Sequence, residues 1–149
     1  MDFDVFGFGV IIVDYCLLKK LPWEQKQKLA ADCFKLYCEK YNIQHRAIDE
    51  LLAHLYAMEK YRNEYHDLAT WDTVGANLKL TGRGDSLLVD LQTKIPQDKM
   101  QEFQHILECA VEVGLSDLYG DTTDLPYEFL IKCIKILAVN SVTFPCVKY

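Results

Sequence analysis

Two acid–histidine pairs carry spacings that metal chemistry uses. Glu102 and His105 stand at i, i+3, and Glu50 and His54 at i, i+4, so each pair can share one helix face. Di-iron bundles use the Glu-x-x-His unit twice, with further glutamates from two other helices, and only one such unit is present. His45 and His66 bracket the same predicted helix without completing a four-ligand set. The sequence therefore predicts no metal and no cofactor. A serine nucleophile would need a Gly-x-Ser-x-Gly elbow, which is absent. Of the six cysteines, Cys33, Cys109 and Cys133 fall on apolar helix faces, where a thiol is buried and inert. The expectation is a protein that does no chemistry, with a metal-dependent helical enzyme using His54 and His105 as an alternative.

The segment LKLTGRGDSLLVDL, residues 78–91, sets Gly82, Arg83, Gly84 and Asp85 between apolar stretches. A phosphate-binding loop would need a Gly-Lys-Ser/Thr end, and a dinucleotide fingerprint a third glycine where Leu87 stands. The Arg-Gly-Asp tripeptide has no adhesion context in an acidic protein without an export signal. Gly82 and Gly84 permit positive φ, and Asp85 suits the N-cap of a following helix, which explains every residue of the turn except the arginine. Arg83 held on a stiff turn is expected to dock against a carboxylate of a partner. Trp71 and Asp72, within fifteen residues of it, complete one candidate anchor, although a tryptophan there also suits the core.

Acidic residues supply a second candidate surface. The net charge is −6, and residues 63–149 hold thirteen acids against seven bases. No base lies between Lys99 and Lys132, a stretch that contains Glu102, Glu108, Glu112, Asp117, Asp121, Asp124 and Glu128. Glu108 and Glu112 approach the negative end of their predicted helix, where a carboxylate is mildly disfavoured, so local stability does not ask for them. Such a face steers a basic partner and repels nucleic acid, though a solvated helix face has the same composition.

Together TWDTVGANLKLTGRGD (Thr70 to Asp85) and VEVGLSDLYGDTT (Val111 to Thr123) resemble a group of small, acidic, helical bacterial proteins, the immunity proteins of polymorphic toxin systems. The two segments lie within residues 70–123, a stretch of about a third of the chain. The resemblance implies a cytoplasmic protein that binds and blocks a cognate toxin's C-terminal domain, without catalysis. The expected partner-binding residues are Trp71, Asp72, Arg83, Glu108, Glu112, Asp117, Tyr119, Asp121 and Asp124. A helical adaptor unrelated to toxins is the alternative.

Helices must position these residues. Ile48, Leu51, Leu52, Leu55 and Met58 form an amphipathic stripe, as do Phe103, Ile106, Leu107, Ala110 and Val113. LPWE (Leu21 to Glu24) and LPYE (Leu125 to Glu128) are helix starts, predicting helices over 23–40 and 126–139. Residues 64–78 read as helical with an irregularity near Gly75, a short helix follows Asp85, and another runs over 97–113 to a stop at Gly114. A helix over 9–19 is predicted, with a strand as the competing outcome because of its Val/Ile run. The apolar run Val10 to Val13 is cut by Asp14, too short for a membrane span or a signal peptide. At 149 residues, half of them hydrophobic, the chain is expected to form one all-α domain of six or seven helices over 1–149, with reduced thiols.

Overall fold

Two proline-led starts set the long helices. In a computed structural model that describes residues 3–6, 11–84, 86–116, 118 and 123–142, Pro22 is the N-cap of α2 (Trp23–Lys40) and Pro126 lies in the first turn of α8 (Leu125–Val139). Neither proline removes a helical hydrogen bond at those positions. The remaining helical elements are α1 (Tyr15–Lys20), α3 (Arg46–Tyr56), α4 (Met58–Asn63), α5 (Leu68–Ala76), the single turn α6 (Val89–Gln92) and α7 (Met100–Leu115), the last entered through a 3₁₀ turn at Gln97–Lys99. The domain is an all-α bundle, as expected; with the one-turn α6 set aside, seven helices are described.

A small hairpin stands beside the bundle. β1 (Phe3–Phe6) pairs antiparallel with β2 (Ile11–Asp14), Phe3 opposite Asp14 and Phe6 opposite Ile11. The helix expected over 9–19 therefore begins only at Tyr15, and Ile11, Ile12 and Val13 take the extended conformation that β-branched residues favour.

The core is the packing of α2, α7 and α8. Near the start of α2, the Trp23 indole N–H donates to the Val113 carbonyl and Gln27 Nε2 to the Ala110 carbonyl, both at 2.8 Å, close to the end of α7. At the opposite end, the Tyr37 hydroxyl donates to Glu102 at 3.0 Å. Helix α7 thus runs antiparallel to α2. It is also antiparallel to α8, because Asn140 at the α8 C-cap donates to the same Glu102 carboxylate at 2.8 Å. Lys99 lies 3.6 Å from Glu102 and donates to Asn140 Oδ1 at 3.0 Å, and the Tyr41 hydroxyl also donates to Asn140 Oδ1. Between the two clamps lie Phe34, Phe103, Ile106, Cys133 and Leu137, all buried, with the Phe34 and Phe103 rings 5.5 Å apart and tilted. Truncating either ring to alanine removes the burial of a large aromatic, a loss of about 3–5 kcal/mol.

Smaller helices wrap this core. His45 caps α3, its Nδ1 accepting from the Ala47 N–H at 2.9 Å, while its Nε2 contacts Asp90 at 2.8 Å. The stripe Ile48, Leu51, Leu52, Leu55 and Met58 is buried, but Ala57 breaks it into α3 and α4. Asp67 caps α5 through the Thr70 N–H at 3.1 Å. Helix α7 does not stop at Gly114: it continues to Leu115, with Ser116 as C-cap. Among the described residues, no helix is long and apolar enough to cross a membrane.

Cys33, Cys38, Cys109 and Cys133 are free, buried thiols, and Cys16 is partly exposed; Cys146 lies outside the described residues. Burial pushes Cys38 up to about 12 and raises Cys33 and Cys133 well above the ordinary thiol value. A melting temperature measured with and without reductant should not change, and these three thiols should resist alkylation at neutral pH. A drop on reduction would reveal a stabilising bridge.

Candidate functional site

The turn at Gly82–Gly84 lies directly on α7. Gly82 has φ +67° and Gly84 φ +85°, the left-handed region that glycine enters without steric cost. Gly82 is constrained twice over, because a Cβ there would come within 2.5 Å of Val111 Cγ2. This contact presses the turn against the helix. Arg83 is then directed back toward α5, where its guanidinium donates to Asp72 Oδ1 at 2.7 Å and to the Asp72 carbonyl at 3.3 Å.

Behind that ion pair lies a buried stack. The His54 and Trp71 rings are parallel within 10° with centroids 4.5 Å apart, and the Trp71 indole N–H donates to the His54 carbonyl at 2.8 Å. Gly75 gives the stack room, since a Cβ at that position would meet His54 Nε2 at 2.5 Å and Arg83 Nη2 at 3.2 Å. Burial, and then the positive charge of Arg83, lower the His54 pKa to about 4, with Asp72 opposing them. The imidazole is therefore neutral near pH 7.

In front of the turn is a pocket of about 440 Å³ between the turn, α7 and α8. Helix α7 contributes His105, Glu108, Cys109 and Glu112, which recur at helical spacing on one face, and α8 contributes Phe129 and Lys132. The Lys132 ammonium sits 4.9 Å from the centroid of the Phe129 ring. Glu108 and Glu112 are half-buried in the wall and enter no ion pair or hydrogen bond with other described residues. Two features that are separate in the sequence, the glycine turn and the acidic helix, thus line one cavity.

The expected site residues divide accordingly. Arg83, Glu108 and Glu112 line the pocket, and Asp72 holds Arg83 from behind. Trp71 is corrected: at 1% exposure it belongs to the core and offers no surface to a partner. Arg83 is likewise not a free anchor, because its ion pair leaves the side chain only 28% exposed. Asp124 is exposed and lies 3.4 Å from Lys19. Asp117, Tyr119 and Asp121 lie outside the described residues, as does Asp85 with its expected cap. Glu102, counted in the acidic run, is withdrawn into the clamp with Tyr37 and Asn140.

The spacings suggestive of metal chemistry separate in space. Glu102 bonds within the core clamp while His105 is an exposed pocket residue, and Glu50 pairs with Arg46 at 3.2 Å while His54 is stacked on Trp71. Among the described residues, no group of three His, Cys, Asp or Glu side chains is placed to hold a metal ion. Sequence reasoning missed Phe129 and Lys132, which reach the pocket only through the packing of α8 on α7. No protein-family model, curated protein or solved structure matches the chain.

Proposed function

We propose that the chain is a cytoplasmic immunity protein that neutralises the basic C-terminal domain of a cognate toxin by covering it, without catalysis. One observation carries this reading. The two segments that resemble immunity proteins, residues 70–85 and 111–123, pack on each other, with Gly82 against Val111 and Trp71 against Gly114. Their contact builds one wall of a pocket whose two glutamates have no ion-pair partner among the described residues. Unpaired carboxylates on a firmly held helix steer a cationic partner into register, and the surrounding surface excludes water once it is docked.

The test is co-expression with the C-terminal domain encoded by the adjacent gene, scored as growth. Rescue is expected from the parent protein. Glu108→Lys combined with Glu112→Lys should abolish it while the variant retains its helical spectrum and melting temperature. No rescue by the parent, or full rescue by the folded double variant, defeats the proposal.

A further inference from the structure

We infer that the pocket between the Gly82–Gly84 turn, α7 and α8 receives a single arginine side chain of the partner, with its guanidinium placed between Glu108 and Glu112. This rests on the toxin-binding reading of the same site and names the chemistry that it recognises. Four charged side chains line the cavity, and the two signs are treated differently. Both cations are engaged: Arg83 with the carboxylate and carbonyl of Asp72, at 2.7 and 3.3 Å, and Lys132 over the Phe129 ring. Both anions are not: Glu108 and Glu112 enter no ion pair or hydrogen bond among the described residues.

These anions are one helical turn apart, so they repel each other, and Glu112, in the last turn of α7, also faces the negative end of the helix dipole. A cation inserted between them relieves both repulsions. Arginine fits better than lysine on three grounds. Its planar fork of donors can engage two carboxylates together, its weakly hydrated face packs against the apolar lining of Leu115 and Phe129, and its charge persists at every physiological pH. The Lys132 ammonium over Phe129 shows that this ring already accepts a cation on its face.

The experiment titrates the ¹⁵N-labelled protein, without toxin, with N-acetyl-arginine amide and separately with N-acetyl-citrulline amide, which keeps the shape and lacks the charge. The arginine compound should give saturable shifts concentrated at Gly84, Glu108, Cys109, Glu112 and Phe129, and the citrulline compound should not. Glu108→Gln with Glu112→Gln should weaken binding about tenfold or more, and Lys132→Met should strengthen it, because a positive charge is removed from the pocket wall. Equal shifts with citrulline, shifts at another surface, or tighter binding by the double glutamine variant overturns the inference. The citrulline comparison uses the unaltered protein, so it stands whatever the variants do. Rescue of growth without arginine binding defeats the guanidinium alone; arginine binding without rescue defeats the toxin assignment alone.

Discussion

Lowering the pH from about 6.5 to about 4 should remove about 2–3 kcal/mol of stability through His54 alone. His54 is 8% exposed, its ring stacked on Trp71 and close to the Arg83 guanidinium, so the folded chain resists protonating it until about pH 4, against an ordinary 6.5. Between those values the unfolded chain binds a proton that the folded chain does not, so stability rises with pH in that window. The contribution is complete above 6.5 and is lost as pH falls through 4. The groups facing the ring are Arg83 from the glycine turn, which deepens the effect, and Asp72 from α5, which opposes it. Urea denaturation at half-unit steps checks the window. His54→Phe preserves an aromatic ring on Trp71 and removes the titration, so its stability should vary less between pH 4 and 6.5 than the parent's. Parallel curves for the two proteins would exclude His54 as the source.

Gly114→Ala should destabilise the fold by about 2–3 kcal/mol, although alanine is the better helix former by about 1 kcal/mol. The position is inside α7 and its missing side chain is occupied space. A Cβ there would lie 2.0 Å from Gln27 Oε1 and 2.9 Å from Trp71 Cη2. Gln27 is fully buried and anchored through Nε2 to the Ala110 carbonyl, so moving it breaks a buried hydrogen bond as well as the packing. Gln27→Ala in the Gly114→Ala background should recover part of the loss, a coupling that a double-mutant cycle measures. A Gly114→Ala protein more stable than the parent would show that Gln27 and Trp71 give way freely.

Gly114 also shows where the sequence misled. A glycine near the end of a helical stripe predicts a stop, and a glycine that admits a neighbour has the same appearance, because the neighbours here, Gln27 and Trp71, are far away in the chain. Helices α2 and α8 were legible because their starts are local, a proline followed by a glutamate two residues on, and their periodic faces are long. The N-terminal hairpin was only half legible, since four apolar residues fit either a strand or a helix and pairing with Phe3–Phe6 decides the outcome. At the site, the sequence brought out Arg83, Glu108 and Glu112 through composition and position. It could not show that Trp71 turns inward, which depends on His54 two helices earlier, or that α8 supplies Phe129 and Lys132.

Helix α7 is fastened at both ends, by Trp23 and Gln27 near its C-terminus and by Tyr37 and Asn140 near its N-terminus. Sliding or rotating the helix would break bonds at both clamps together, so the backbone carrying Glu108 and Glu112 holds one position before any partner arrives. Its ordering entropy is spent during folding rather than at the moment of docking. Under the docking proposed above, the same stiffness would limit tolerance: a partner whose cation is displaced by one helical step would find no compensating movement, and the bundle itself would discriminate between near-identical partners.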